Sequence, residues 1–294
     1  MEEIVYLNGK LVPRSQAKIS ALDYGFLFGY GLYETIRAYN GKPFRLDNHI
    51  ARLRYSAEKL GILVKPGEIR QAVKDTVAAN GFSDTRIRIT MSIGEGTITP
   101  NLASCEEPTT AVLVTEYHPP APEKYEHGFK VIVSSIRRNS RSPVTFMKSA
   151  NTMEAMLARQ EARTKGADEA LFLNEKGFLT EASGSNIFLV KNGILITPRF
   201  ETGILPGVTR VVIFEIASKL GIKVKEKKVS LDELFNADEA FITNSLVEIV
   251  PVMMVDGKPI GKGKVGNTTK RLLKSYRDLV AAETEKAGER NDND

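Results

Sequence analysis

The sequence predicts an α+β fold, and three observations lead to that prediction. Five Gly-containing dipeptides separate short apolar segments along the 294 residues. Longer segments between them carry apolar side chains three and four residues apart, which is the helical period. The two kinds of segment do not alternate regularly, so hairpin-rich sheets are favoured over a doubly wound parallel sheet.

The dipeptide turns predict four β-hairpins, because Asn-Gly and Asp-Gly tolerate the positive φ angles of two-residue hairpin turns. The turns are Asn8-Gly9, Asn40-Gly41, Lys176-Gly177, Asn192-Gly193 and, as a further hairpin candidate, Asp256-Gly257. The predicted strand pairs are Ile4–Leu7 with Lys10–Val12, Glu34–Ala38 with Pro43–Leu46, Ala170–Leu173 with Phe178–Thr180, and Asn186–Val190 with Ile194–Thr197. Three more strands are expected at Arg86–Ile93, Thr110–Tyr117 and Lys130–Ile136.

Helical spacing is clearest in Asn48–Leu60, where Ile50, Leu53, Ala57 and Leu60 share one face. The same pattern predicts helices at Gly67–Asn80, Asn151–Lys165, Thr209–Leu220 and Thr268–Ala282.

A proline-rich segment predicts the domain boundary. Prolines 119, 120 and 122 cannot continue a sheet ladder, and they favour an extended connector. We therefore expect a small N-terminal α/β domain at 1–118, a linker at 119–124 and a larger C-terminal domain at 125–294. The polar tail Ala287–Asp294 is expected to fray.

Composition narrows the class of protein. Lys+Arg 41 against Asp+Glu 36 gives a net charge of +5, but the basic residues are scattered, so no nucleic-acid partner is expected. No apolar run approaches the roughly 20 residues of a spanning helix, so no membrane partner is expected either. The acidic start and the single cysteine, Cys105, favour a cytoplasmic protein.

Several catalytic motifs are absent from the sequence. The three histidines form no HExxH or HxxxH pair, and one cysteine cannot build a multi-cysteine site, so no metal is expected. The chain has no GxSxG elbow, no P-loop and no GxGxxG that opens a helix after a strand. Metal hydrolysis, serine acyl transfer and nucleotide transfer are therefore disfavoured.

Three local contexts could carry other chemistry. Lys148 follows apolar Phe146 and Met147 and precedes a helix, where a neutral amine could form Schiff bases, although an exposed loop lysine is the simpler interpretation. Glu181 ends a strand beside small residues and could pair with a protonated ring nitrogen, or could simply flank a hairpin. Thr209 opens a helix, where backbone N–H groups and the hydroxyl suit a phosphate but also fit an ordinary N-cap.

In this order and spacing, the three segments resemble the class IV, or fold type IV, pyridoxal-phosphate enzymes. That family includes branched-chain aminotransferases, D-amino-acid aminotransferases and 4-amino-4-deoxychorismate lyases. The matching segments cover nearly the whole chain: Tyr6–Lys10, Leu22–Arg37, Asn48–Leu53, the Lys148 segment, Glu181–Asn186, Gly203–Arg210 and Phe241–Pro251. The resemblance implies a two-domain fold like that of D-amino-acid aminotransferases, with a pseudo-barrel as the larger domain.

The resemblance also implies cofactor contacts for pyridoxal 5'-phosphate. Lys148 is similar to the lysine that forms the Schiff base and moves the substrate proton. Glu181 is similar to the carboxylate that pairs with the pyridine nitrogen. Arg52 resembles the phosphate anchor, Val208 and Thr209 supply backbone and hydroxyl donors, and Ser245 adds a hydroxyl. At Met153 the sequence departs from branched-chain enzymes, which present a tyrosine to a cofactor oxygen.

Substrate residues of the family fall at Tyr33, Thr35 and Arg88. Tyr33 matches a carboxylate-binding tyrosine of D-amino-acid aminotransferases, but Gly94–Ser104 lacks their Arg-x-His pair. Arg88 matches an arginine of branched-chain enzymes. Thr35 is typical of the lyases, as are Ile136–Asn139 and Thr243–Ser245, whereas Tyr33 stands where lyases commonly have phenylalanine.

The expected activity is transfer of an amino group between a small or branched aliphatic amino acid and a 2-oxo acid, by a ping-pong mechanism. The alternatives are 4-amino-4-deoxychorismate lyase, which eliminates pyruvate, and a D-amino-acid aminotransferase. A non-enzymatic scaffold or nucleic-acid adaptor is a third alternative. The resemblance further implies a homodimer, because the family's active site lies near a subunit interface.

Overall fold

The computed structural model describes residues 2–284, and the chain divides into two compact units. Of the described residues, the first unit contains 2–118, Lys148–Asn151 and Asp278–Thr284. The second contains Pro119–Met147 and Thr152–Arg277. The predicted tail at Ala287–Asp294 lies outside the described residues.

The first unit is built on a six-stranded antiparallel sheet, ordered β2-β1-β6-β5-β3-β4. Its strands are β1 (Ile4–Leu7), β2 (Lys10–Pro13), β3 (Gly31–Tyr39), β4 (Lys42–Pro43), β5 (Thr85–Ser92) and β6 (Thr109–Glu116). The central strands have apolar side chains with almost no exposure at alternate positions, such as Ile87 and Ile89. This period of two buries one face of the sheet.

Helices α1 (Tyr24–Leu27), α2 (Leu46–Leu60) and α3 (Pro66–Asn80) complete this part of the first unit. Helix α2 packs against β3, and α3 packs against β1 and β6. Helix α3 contributes Ile69, Val73 and Val77 to the core, at the spacing that predicted the helix. Pro66 lies at the start of α3, where its missing N–H has no intrahelical partner to lose.

The second unit contains a nine-stranded mixed sheet, ordered β12-β11-β10-β13-β14-β7-β8-β9, with β15 paired to β14. Its strands are β7 (Phe129–Arg138), β8 (Glu169–Asn174), β9 (Leu179–Ala182), β10 (Asn186–Lys191), β11 (Ile194–Pro198), β12 (Val224–Lys227), β13 (Glu239–Asn244), β14 (Glu248–Val255) and β15 (Lys258–Pro259). The pairs β7–β8, β7–β14 and β11–β12 are parallel, and the other pairs are antiparallel.

This sheet curls until its two edges meet. Leu179, in edge strand β9, forms a β-bridge with Val229, which follows edge strand β12. The interior of the curl holds a core that includes Leu171, Ile187 and Val250. The expected pseudo-barrel is thereby confirmed.

Helices α4 (Pro122–His127), α5 (Met153–Thr164), α6 (Val208–Lys219), α7 (Leu231–Phe235) and α8 (Asn267–Thr284) complete the described chain. Strand β8 is buried along its whole length because both of its faces are covered. Leu171 and Leu173 enter the barrel core, whereas Ala170 and Phe172 pack against Ala158 and Ala162 of α5. None of the helices in residues 2–284 combines the length and the apolar character needed to traverse a membrane.

Three local predictions need correction. The strand predicted at Pro43–Leu46 is wrong beyond Pro43, because Arg45 adopts a left-handed φ of 56° and α2 begins at Leu46. The connector at 119–124 is not extended throughout, because Pro122 opens α4, a position that proline tolerates. Lys148–Asn151 groups with the first unit rather than with 125–294, because its backbone pairs with β3.

Candidate active site

Lys148 is held by backbone pairing to strand β3. The N–H of Tyr33 donates to the Lys148 carbonyl at 2.8 Å, and the N–H of Ala150 donates to the Gly31 carbonyl at 2.8 Å. Lys148 is half-buried, and its Nζ lies 4.4 Å from the centre of the Tyr33 ring. The amine is therefore fixed against the face of an aromatic ring rather than extended into solvent, which argues against an ordinary loop lysine.

Tyr33 also contacts Arg88, whose guanidinium carbon lies 3.6 Å from the ring centre. Arg88 Nε donates to the Thr90 hydroxyl at 3.2 Å, and Thr35 is the cross-strand partner of Arg88. Burial lowers the pKa of Arg88 from its ordinary value, while Tyr33 opposes that change. The guanidinium stays charged, so it can bind a carboxylate. The predicted substrate residues Tyr33, Thr35 and Arg88 thus lie together on β3 and β5.

Arg52 is not a surface residue of α2. It donates from Nε to Glu34 Oε1 at 2.8 Å and from Nη2 to Glu34 Oε2 at 2.6 Å, which is a bidentate ion pair. His49 Nδ1 lies 2.7 Å from the same Oε2. Glu34 has no solvent exposure, so Arg52 compensates its charge and His49 adds a hydrogen bond.

The charges in this cluster follow from the pKa shifts. Burial tends to raise the pKa of Glu34, but the Arg52 charge and the hydrogen bonds from Arg52 and His49 outweigh it and lower the pKa to about 2. Burial lowers the pKa of His49, while Glu34 opposes that change. Because Glu34 is ionised and can only accept, His49 must donate from Nδ1. Glu34 and His49 were not predicted from the sequence, although His49 and Arg52 lie three residues apart on one helix face.

In the second unit, Glu181 is a buried carboxylate at the end of β9. Its Oε2 accepts from the Leu205 N–H at 3.0 Å and from Asn186 Nδ2 at 3.2 Å. Its Oε1 lies 3.3 Å from Arg138 Nη2, and Arg138 stacks on the Phe172 ring at 4.6 Å. These contacts fix the carboxylate in one orientation.

Helix α6 begins with Val208 and Thr209, both buried, and no side chain caps its N-terminus. Its N-cap residue, Gly207, has no room for a side chain, because an added Cβ would lie 1.9 Å from Asn186 Oδ1. Uncapped N–H groups and a hydroxyl at a helix N-terminus suit an anion such as phosphate.

Ser245 lies in the turn between β13 and β14, which is shaped by its neighbours. Asn244 Oδ1 accepts from the N–H groups of Leu246 and Val247 at 2.8 and 3.0 Å. Glu248, at the end of this turn, is buried and has a φ of 61°, an uncommon angle for a residue with a side chain. Met153, where a tyrosine was expected for branched-chain enzymes, is the first residue of α5 and is 71% exposed.

Each unit by itself offers groups that suit a part of pyridoxal phosphate. The first unit offers a fixed amine in Lys148 and a buried guanidinium in Arg52. The second offers an oriented carboxylate in Glu181 and an uncapped helix N-terminus at Thr209. An aldehyde, a phosphate and a protonated ring nitrogen need these groups.

Comparison with known proteins agrees with this chemistry. The model of the amino-transferase class IV family matches residues 31–255. A Methanocaldococcus jannaschii protein, provisionally named a branched-chain-amino-acid aminotransferase, is 40% identical over 94% of this chain and 96% of its own length. The D-alanine aminotransferase of Bacillus licheniformis is 32% identical over 96% of this chain and 99% of its own length. The branched-chain aminotransferase structure of Escherichia coli superposes with a TM-score of 0.92 at 30% identity, covering 98% of both chains.

The matches extend across both units, so they concern the whole fold rather than one motif. The predicted family and the two-domain fold type IV architecture are confirmed. The chain belongs to the class IV aminotransferases.

Proposed function

We propose that this enzyme moves an amino group between branched-chain L-amino acids and a 2-oxo acid by a ping-pong mechanism, with pyridoxal 5'-phosphate as cofactor. The main support is that two basic side chains contact one ring. The Lys148 amine and the Arg88 guanidinium both contact Tyr33, at 4.4 and 3.6 Å. A nucleophilic amine thus lies near a cation that can hold a substrate carboxylate.

Bound pyridoxal phosphate supplies the electron sink that stabilises negative charge at the substrate α-carbon. Lys148 holds the cofactor covalently and moves the proton of that carbon, because it is half-buried and its backbone pairing with β3 fixes the amine beside the Tyr33 ring. Glu181 holds the proton of the ring nitrogen, because its carboxylate is buried and oriented. Both roles are proposals for this chain.

The phosphate is assigned to Arg52, to the backbone and hydroxyl of the α6 N-terminus at Val208 and Thr209, and to Ser245. The uncapped N-terminus of α6 supports the helix part of this assignment. Arg52 is pre-oriented by its bidentate pair with Glu34, which limits the entropy lost when it binds an anion.

The substrate class rests on Arg88, Tyr33 and Thr35. Arg88 binds a carboxylate, and the flat Tyr33 ring beside it suits an aliphatic side chain. The segment Gly94–Ser104 has neither arginine nor histidine, which favours L-amino acids over the D-series although a D-alanine aminotransferase is among the relatives. The structural relatives include a branched-chain aminotransferase of Thermoproteus uzoniensis, solved with norvaline, at 35% identity and a TM-score of 0.90.

A homodimer in the cytoplasm is proposed as the working state. Three consecutive apolar residues of the first unit, Phe26, Leu27 and Phe28, are exposed, and contiguous exposed apolar side chains are typical of interaction surfaces. Cys105 is a free thiol, which is consistent with a reducing compartment. Light scattering of the holoenzyme at several concentrations tests the dimer, and a concentration-independent monomer would contradict it.

A half-reaction without an acceptor tests the activity. The holoenzyme is mixed separately with L-leucine, D-alanine and aminodeoxychorismate, and the absorbance of the bound cofactor and the released product are followed. L-Leucine should convert the cofactor to its amino form and yield one equivalent of the 2-oxo acid. Conversion by D-alanine alone would identify a D-amino-acid enzyme. Release of pyruvate from aminodeoxychorismate without conversion by any amino acid would identify the lyase.

A further inference from the structure

The turn that follows Glu181 positions one of the groups that orient its carboxylate. The Ala182 N–H donates to the Ser185 carbonyl at 2.7 Å, which closes the turn. The turn leads directly into Asn186, whose Nδ2 donates to Glu181 Oε2 at 3.2 Å. A change in the turn would therefore move Asn186 relative to Glu181 and alter this contact.

Arg159 of α5 holds one side of this turn through Ser183. Its Nε donates to the Ser183 hydroxyl at 2.7 Å, and that hydroxyl donates to Glu169 Oε1 at 2.5 Å. Arg159 Nη2 lies 3.9 Å from Glu169 Oε2. Ser183 and Glu169 are buried, whereas half of the Arg159 side chain is exposed. The buried carboxylate is thus compensated by a hydroxyl and a cation that meet at the turn.

The guanidinium also covers the backbone of the turn. A Cβ on Gly184 would lie 2.2 Å from Arg159 Nη2, so the guanidinium lies directly over this glycine.

Asn244 holds the opposite side. Its Nδ2 donates to the Gly184 carbonyl at 3.1 Å and to the Ser185 hydroxyl at 2.8 Å. Asn244 Oδ1 also accepts two N–H groups in the turn that carries Ser245. Asn244 therefore links the turn after Glu181 to Ser245, a proposed phosphate contact. The Ser183 N–H also donates to the Ala170 carbonyl at 2.9 Å, so what remains for Arg159 to fix is the Ser183 side chain.

We propose that Arg159 is a positioning residue that acts through Ser183 to keep the Glu181 carboxylate oriented toward the ring nitrogen of the cofactor. This inference rests on the proposed role of Glu181. Without the guanidinium, Ser183 loses its donor, Glu169 loses its cation and the Ser183 side chain gains freedom. The carboxylate of Glu181 then spends less time in the orientation that keeps the ring nitrogen protonated.

The test compares Arg159→Met, which keeps the apolar stem, with Arg163→Met as a matched control. Arg163 is an exposed arginine one turn further along the same helix. Two quantities are measured: the dissociation constant of pyridoxal phosphate from the apoenzyme, and the pH titration of the absorbance of the bound cofactor. Arg159→Met should raise the dissociation constant about fivefold, as expected for one partly exposed charge-assisted hydrogen bond. It should also move the titration midpoint in the same direction as Glu181→Gln, while Arg163→Met changes neither.

Further variants separate the possible failures. If Glu181→Gln leaves the titration unchanged, the proposed role of Glu181 is wrong. If Glu181→Gln moves the midpoint but Arg159→Met does not, the inference about Arg159 is overturned. Ser183→Ala deletes one oxygen atom and removes the hydrogen bond from Arg159 Nε. It therefore replaces Arg159→Met in both measurements if that variant does not fold. In the double variant Arg159→Met/Ser183→Ala, the dissociation constant should rise no more than in the more affected single variant. Additive increases would contradict the inference that Arg159 acts through Ser183.

Discussion

Replacing Glu34 by glutamine removes the anion that Arg52 and His49 share in the first unit. The neutral amide cannot form the bidentate ion pair, so Arg52 keeps its charge in a buried setting without its carboxylate partner. The variant should therefore be less stable than the wild type at pH 7. The loss should depend on pH, because the carboxylate contributes only while it is ionised.

The magnitude follows from the pKa of Glu34, which is lowered from 4.5 to about 2 in the folded protein. This difference corresponds to about 3.5 kcal/mol of stability at pH 7. A carboxyl group with a lowered folded pKa contributes fully above its unfolded pKa, and the contribution is lost as the pH falls toward the folded value. At pH 3 it should have decreased to about 1.5 kcal/mol.

The assay is urea unfolding of wild-type and Glu34→Gln apoenzyme at pH 7 and at pH 3. The stability difference between the two proteins should shrink by roughly 2 kcal/mol at the lower pH. Glu161 and Glu175 also have pKa values lowered to about 2, so both proteins lose stability in this range. Their effect cancels in the difference. A difference that is the same at both pH values would refute the assignment of an ionised, buried Glu34.

Three further predictions concern single residues. Gly207→Ala should destabilise the second unit by about 1–3 kcal/mol in urea unfolding, because its Cβ would overlap Asn186 Oδ1. Gly67→Ala is its control: this helical position has open space, so the variant should be unchanged or slightly more stable, and equal losses would contradict the steric argument. Ser230→Ala removes a capping box with Glu233 and should cost about 1 kcal/mol in urea unfolding without changing kcat, whereas an unchanged midpoint would show that the cap contributes nothing. Arg88→Met should raise the KM for the amino acid about tenfold or more while the spectrum of the bound cofactor stays the same, and an unchanged KM would exclude Arg88 as a carboxylate ligand.

Local signals account for much of the predicted fold. Both residues of the Asn8-Gly9 and Asn192-Gly193 turns have positive φ angles, as the hairpin prediction required. Helix α3 begins one residue before its predicted range and ends as predicted, because its apolar period and Pro66 both mark it. These elements were predictable because their determinants lie within a few residues of one another.

Non-local features were not predictable in the same way. Strand β14 is buried along most of its length, and such an apolar run carries no period that separates strand from helix. The Glu34 cluster joins a strand to a helix across 15 and 18 residues of sequence, so neither Glu34 nor His49 had a local signal. The same holds for Arg159, whose partner Ser183 is 24 residues away. Lys148 and Glu181 were found through the family resemblance, because their local contexts also fitted ordinary loop and hairpin residues.

The assignment of Lys148 is tested by identifying the lysine that carries the cofactor. Holoenzyme is reduced with borohydride, which fixes the cofactor to whichever lysine holds it, and is then digested and analysed by mass spectrometry. We expect the modification on Lys148. In Lys148→Ala, both the modification and the turnover should be lost. Modification of another lysine, or wild-type turnover in Lys148→Ala, would contradict this assignment.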